Sequence, residues 1–233
     1  MNNKKLVSVI LSTFNSSETI STSLESILSQ TYKNIELLVV DDCSTDNTYE
    51  ILNDYKKNYS QIKLFKNTEN IGLTRSLNFL IDKSKGEFIA RQDSDDISNL
   101  DRIKKQLKFI HAYKLDGCTT RALKDGSSTT SRLSYYLPKK LVIKYKNPFI
   151  HGTLLIRKST LEEINNYDER FYYSQDYKLF TDLLNAGYKI SIMKEALYNL
   201  NTLNNISSKY KEEQKYYADC VRKRIDPKEE ITK

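Results

Sequence analysis

Three carboxylates crowd four residues in "RQDSDD", where Asp93, Asp95 and Asp96 follow directly on the apolar run "EFIA". Carboxylates this close repel, and in a folded site at least one is driven towards protonation unless a cation or hydrogen-bond donors compensate. A divalent cation preferring oxygen ligands relieves that repulsion; the competing reading is a solvated turn with Asp96 beside a helix N-terminus. A fourth carboxylate, Asp176 in "SQDYKLF", reads on its own as a first-turn helix acid. His151 in "NPFIHGT" could approach such a site, although a structural histidine is as good a reading.

These residues need elements to position them. "LVSVIL" (Leu6–Leu11) and "IELLVV" (Ile35–Val40) read as strands buried on both faces. "IKLF" is a weaker third strand, and "EFIAR" a fourth. Between them lie amphipathic helices: Ile20, Leu24, Ile27 and Leu28 after an N-cap at Ser16 or Ser17; Ile51, Leu52 and Tyr55 after one at Ser44–Asp46; Leu73, Leu77, Leu80 and Ile81, ended by Gly86. A further helix starts from a cap at Ser98 or Asn99, with Leu100, Ile103, Leu107 and Ile110 on its inner side. Alternation of this kind predicts an α/β domain, a Rossmann-like doubly wound, mainly parallel sheet with helices on both faces.

From Ala112 to Ile150 the pattern weakens, and "DGSSTTSR" reads as a turn or mobile loop. Regularity returns with "TLLIR" as a strand, "STLEEI" as a short helix, "QDYKLFTDLLNAG" as a helix closed by Gly187, and "YKISIM" as a strand. Ser207–Arg224 reads as a basic, Tyr-rich helix. In open parallel sheets ligands bind outside the carboxyl ends of the strands, and here three strands end in polar clusters, "STFN", "DDCSTD" and "RQDSDD". None is a glycine-rich phosphate loop, so a phosphate would have to be held by a metal, with Asp93 and Asp95 gripping the ion against a diphosphate.

Composition sets outer bounds. The 233 residues, 39% hydrophobic, suffice for one core, and an excess of 37 Lys and Arg over 30 Asp and Glu suits an anionic partner. Cys43, Cys118 and Cys220 are far apart and outside any C-x-x-C pairing, which disfavours zinc and disulfide frameworks and fits a reducing cytoplasm. No run of 18 apolar residues and no signal peptide is evident.

The stretches "VSVILSTFN", "SILSQTYKNIELLVVDDCSTDNT", "NIGLTRSLN", "KGEFIARQDSDD" and "SQDYKLFTDLL", in that order over residues 6 to 186, resemble the family-2 glycosyltransferases of the GT-A fold. The resemblance implies transfer of a sugar from a UDP-sugar to a hydroxyl with inversion, aided by Mn²⁺ or Mg²⁺, in surface polysaccharide synthesis. By the same resemblance Ser12 and Phe14 line the nucleobase pocket, and Asp42 accepts a hydrogen bond from uracil, with Asp41 its competitor. Asn70 and Gly72 pass near the nucleotide. Asp93 and Asp95 are the two acids of D-x-D, with Asp95 the metal ligand, Asp93 near ribose or metal, and Asp96 behind them. Asp176 is the base.

Gln175 stands where the family often has Glu, which removes one charge beside the base. The Q-x-x-R-W signature of processive members is missing from a chain without Trp, so single additions are expected. The resemblance implies one domain over 1–206, with 1–111 the nucleotide side and 112–206 the acceptor side, followed by the tail 207–233. A glycan or lipid-linked saccharide is the expected acceptor, and no nucleic acid is expected. Location is cytoplasmic, with the tail (Lys209, Lys211, Arg222, Arg224) offering contact with an anionic inner membrane face. Arg75 and Arg91 could face the diphosphate, or be solvated or structural. Rival functions are a nucleotidyltransferase and a non-catalytic sugar-nucleotide-binding module.

Overall fold

The computed structural model describes residues 5–124, 126–128, 136–201 and 210–228. Val7–Thr13 (β1), Ile35–Asp41 (β2) and Phe88–Arg91 (β4) are buried at every position, as expected of strands covered on both faces. With Ile62–Lys66 (β3) they form a parallel array in the order β3-β2-β1-β4. Helices Ile20–Leu28 (α1), Thr48–Asn58 (α2) and Leu73–Lys83 (α3) link its strands.

Beyond β4 the sheet is mixed. Leu155–Arg157 (β8) lies antiparallel to β4, Gly117–Lys124 (β6) antiparallel to β8, and Ile190–Asn199 (β9) parallel to β6. The two-residue strand Ile97–Ser98 (β5) closes the far edge on β9, and Ser127–Ser128 (β7) pairs with β6. The doubly wound α/β expectation is met: β1 to β4 are parallel throughout, β6 and β9 add a parallel pair, and the antiparallel pairings are short. β6 escaped notice because "GCTTRALK" lacks a hydrophobic run; its Thr119 and Thr120 are fully buried, and β-branched Thr fits a pleated strand.

Each face of the sheet carries a core. One is filled by Leu77, Leu80 and Ile81 of α3, Phe149, and Leu179, Phe180 and Leu183 of Gln175–Asn185 (α7). The opposite core holds Leu24 and Ile27 of α1, Leu52 of α2, and Ile103 and Ile110 of Arg102–Tyr113 (α4). Short helices Lys139–Val142 (α5) and Lys158–Glu163 (α6) flank β8 in sequence. Gly187 (φ 93°) turns the chain after α7 as expected.

The tail helix Lys211–Lys223 (α8) buries Tyr217, Cys220 and Val221 in the first core. The outer parts of the expected tail, 207–209 and 229–233, lie outside the described residues, as do Asp125 and 129–132 of the expected loop.

Several expected helix boundaries need correction. α1 begins at Ile20 behind Thr19, and Ser16 contributes its carbonyl, which accepts the N–H groups of Thr19 and Ile20 at 3.0 and 2.9 Å. Asn99 and Ser98 do not cap α4, because Ser98 is drawn into β5 and the helix starts behind Asp101. That leaves Leu100 outside the helix and 51% exposed. Gly86 is not a helix end: a Cβ there would lie 2.5 Å from the Ser8 nitrogen and 2.9 Å from the Leu6 oxygen, so the residue is small to let β1 pass.

Candidate active site

The loops that follow β1, β2 and β4 are tied to one another by side chains. The Asn15 N–H donates to Ser44 Oγ at 2.9 Å and the Thr45 N–H to Asn15 Oδ1 at 2.8 Å. Asp46 accepts from Ser17 N–H at 3.1 Å and from Thr48 Oγ1 at 2.5 Å. Burial opposes ionisation of Asp46, but these donors outweigh it and hold its carboxyl down at about 2. Ser16 Oγ and Ser94 Oγ lie 2.9 Å apart, joining the β1 and β4 tips. The three polar clusters therefore share one rim.

Within that rim Ser12 is buried in β1 and Phe14 is 46% exposed on the loop beyond it. Asp42 accepts from Asn67 Nδ2 (2.7 Å), the Ile71 N–H (3.0 Å) and the Gly72 N–H (2.9 Å). It thus shapes the 67–72 loop on which Asn70 stands exposed. Gly72 has φ 84°, and a Cβ on it would come 2.7 Å from the Tyr172 ring, so glycine serves both the backbone and the close approach. Asp41 is fully buried, accepts from the Ser44 N–H at 3.2 Å, and has no partner for Oδ1 among the described residues.

The acidic turn is built by its own neighbours. Buried Gln92 donates from Nε2 to the carbonyls of Asp93 (3.1 Å) and Asp96 (2.9 Å), and its Oε1 accepts from Ser98 Oγ at 2.7 Å. Arg91, 1% exposed, donates to Asp93 Oδ1 at 2.6 Å. Arg102 is fully buried and donates to the carbonyls of Arg91 (2.9 Å) and Gly152 (2.8 Å), with Cζ 5.3 Å from the centre of the Tyr198 ring. Tyr198 Oη accepts the Asp93 N–H at 3.0 Å. Burial lowers the Arg102 pKa to about 10, which leaves it charged at neutral pH. Two buried guanidinium groups thus underlie three carboxylates.

That compensation is incomplete. Burial first, then the charge of Asp93, raises the Asp95 pKa. Burial, Asp93 and Asp95 together push Asp96 far above the carboxylate range, although the Asn201 N–H donates to it at 2.7 Å. A divalent ion fits this donor set: hard oxygens in excess of positive charge, in the arrangement where one or two carboxylates and a substrate phosphate share the coordination. Among the described residues no group of three His, Cys, Asp or Glu forms a complete protein cage.

Asp176 lies in the first turn of α7, near enough to Asp93 to feel its charge. Its Oδ1 accepts the Tyr177 N–H and its Oδ2 accepts Asn147 Nδ2, each at 2.7 Å. Burial nevertheless raises its pKa, and Asp93 adds to the effect. His151 Nε2 lies 2.7 Å from Tyr167 Oη, and burial, helped by Arg91, holds the imidazole neutral with a pKa of about 3. Gly152 is bare because a Cβ would stand 2.3 Å from Asp93 Oδ2 and 2.6 Å from Tyr198 Oη.

Arg75 is exposed and pairs with Glu169 at 3.5 Å, outside the cluster. Arg102, Asn147, Gly152, Tyr167 and Tyr198 were missed in sequence; each comes from a different element, and no spacing marks them.

The profile of Glycosyl transferase family 2 matches residues 8–180. The chain belongs to this family. It is a glycosyltransferase with the GT-A fold. WfaP of Escherichia coli, named a UDP-Glc:alpha-D-GlcNAc-diphosphoundecaprenol beta-1,3-glucosyltransferase, is 31% identical over 89% of this chain and 82% of its own. S. aureus TarS, solved in complex with UDP-GlcNAc, superposes with a TM-score of 0.75 at 23% identity, covering 88% of this chain and 60% of that one. The mannosyltransferase PcManGT of Pyrobaculum calidifontis, solved with GDP-Man and Mn²⁺, gives a TM-score of 0.76 at 18% identity, over 97% and 67% of the two chains. This family-2 domain thus spans about three fifths of the TarS 1–349 chain, 39% of the longer TarS chain, and more of the other two.

Proposed function

We propose that this glycosyltransferase moves one sugar from a UDP-sugar to a hydroxyl of a surface glycan or lipid-linked saccharide, with inversion. The observation that supports the reading is Asp176 itself, near enough to Asp93 to feel its charge, in no ion pair among the described residues, and with a raised pKa. A general base works best when its pKa approaches the working pH, and burial moves Asp176 in that direction. Asn147 and the Tyr177 N–H fix its orientation with one lone pair on each oxygen, which leaves the second lone pair for the proton of an acceptor hydroxyl.

Ser12, Phe14 and Asp42 line the base pocket, with Asn70 and Gly72 beside the nucleotide. Asp42 already holds three donors, so its contact with uracil uses the remaining lone pair. Asp93 and Asp95 would hold Mn²⁺ or Mg²⁺, which would supply a Lewis acid for the charge of the leaving diphosphate. WfaP, TarS and PcManGT, with the ligands their names carry, support a sugar nucleotide and a metal here. Residues 1–111 supply the nucleotide side and 112–206 the acceptor side, at the inner face of a membrane in the cytoplasm. Among the described residues no helix is long and apolar enough to cross one.

Asp176→Asn tests the assignment. It keeps the size and removes the basic carboxylate, though its single oxygen can accept from only one of Asn147 Nδ2 and the Tyr177 N–H; turnover should fall about 100- to 10,000-fold with calorimetric UDP affinity in Mn²⁺ unchanged. Turnover equal to that of the unsubstituted enzyme refutes the role.

A further inference from the structure

The chain's positive charge is not spread evenly. Between Asp125 and Glu162 it contains seven Lys and Arg and no acidic residue, so the whole +7 excess resides in this stretch and the remainder is balanced. Arg157 and Lys158 in this stretch pair with Glu87 and Glu162. Lys140, Lys144 and Lys146 are exposed and form no ion pair among the described residues.

The same short segment exposes apolar surface. Pro138 starts a helical turn, shown by the Val142 N–H donating to its carbonyl at 3.1 Å and the Ile143 N–H donating to that of Lys139 at 2.9 Å. Leu141 and Tyr145, four residues apart in this turn, share one side and are 48% and 71% exposed, and Leu137 just before the turn is 44% exposed. The inner side, Val142 and Ile143, is buried. Tyr177 Oη donates to the Ile143 carbonyl at 2.7 Å, and Asn147 bonds Asp176, so the segment is anchored to the start of α7.

We propose that the outer face of residues 137–146 docks on an anionic lipid bilayer and so delivers a lipid-linked acceptor to Asp176. The proposal rests on the transferase reading for the acceptor, but the docking surface stands on charge and exposure alone. Lysine stems and a tyrosine at the interfacial depth, with leucines below them, match an anionic headgroup layer over hydrocarbon. A soluble polyanion would use the lysines and leave the leucines exposed to water without gain. The tail helix α8 fits the role less well: its apolar side is buried, and Glu212, Glu213 and Asp219 nearly balance its four cations.

Flotation of the whole chain with vesicles tests this. Binding is expected to phosphatidylglycerol–phosphatidylethanolamine vesicles and not to phosphatidylcholine alone. Combined Lys140→Gln, Lys144→Gln and Lys146→Gln should weaken it ~100-fold, at roughly fivefold per lysine. Leu141→Ser with Tyr145→Ser should weaken it at least about tenfold, the worth of two apolar side chains leaving the bilayer, while Lys211→Gln with Lys215→Gln leaves it unchanged. Equal partitioning of the triple lysine variant and the unsubstituted chain, or equal flotation on both lipids, overturns the proposal. So does full binding by the Leu141/Tyr145 variant, which would mark a plain polyanion site. UDP titration in Mn²⁺ runs alongside: normal UDP binding without flotation sinks the docking surface alone, and flotation without UDP binding sinks the transferase reading alone.

Discussion

Asp96 and His151 show how burial sets protonation in this site, in opposite directions. The unfolded chain releases an aspartate proton near pH 4, whereas folded Asp96 keeps its proton to far higher pH; its contribution to stability therefore falls as pH rises through that window. His151, held neutral down to about 3, loses stability as pH drops below about 6.5, where the unfolded imidazole protonates. The two effects oppose each other at mildly acid pH, and above about pH 6.5 the raised carboxyls act alone. In EDTA, the unfolding midpoint of the unsubstituted protein should therefore decline between pH 6.5 and 8.5. Asp96→Asn should flatten that slope and gain at least ~1 kcal/mol at the alkaline end, about one pKa unit's worth. Superimposable profiles would show that Asp96 is ionised throughout. The acidic turn was legible because like charges in four residues are visible in any sequence. Arg102, which ties its base to Gly152, was not: a single arginine in "LDRIKK" reads as a solvated helix residue until its burial is known.

Loops that build the rim take polar side chains away from the helices beside them. Of the residues expected to cap α1 and α2, Ser44 and Ser16 bond across to Asn15 and Ser94, whereas Asp46 accepts both the Ser17 N–H across the loop and the Thr48 N–H that opens α2, the latter at 3.0 Å. Local capping chemistry and cross-loop ties use the same donors and acceptors, so the sequence shows that the groups are needed and not which partner wins. Gly86 is similar. A glycine after a helix suggests a terminator, whereas the contact that requires it comes from β1, some eighty residues earlier. Gly86→Ala should cost about 1–3 kcal/mol because the obstructing Ser8 nitrogen and Leu6 oxygen are backbone atoms that cannot swing aside. Urea midpoints at unchanged m-value would measure it, and a neutral substitution would show that β1 and the α3–β4 connection can part.

The sheet crosses any division of the chain at residue 111. β5, at residues 97–98, pairs with β9 at the far edge, and β8 slips between β4 and β6. The parts of the chain before and after residue 111 therefore share one sheet. The C-terminal helix is tied in too, since Tyr217 packs against Phe171 and Tyr173, with ring centroids 6.1 and 5.9 Å apart. Tyr217→Ala should destabilise the whole molecule by about 3 kcal/mol in a single cooperative transition. A separate low-temperature transition would show instead that α8 melts independently.

Hydrophobic period, the polar ends of three strands and the crowding of like charges were enough to determine the α/β fold, its helices and the rim that carries the chemistry, because these are local properties of the chain. Tertiary structure alone decided which polar groups face one another. Asn147 on Asp176, Tyr198 under Asp93, and a lysine-rich face anchored beside Asp176 join residues from distant elements. Such pairings depend on how the sheet is ordered, and the β8-β6-β9-β5 half acquires its order from long-range packing that no short stretch of sequence records.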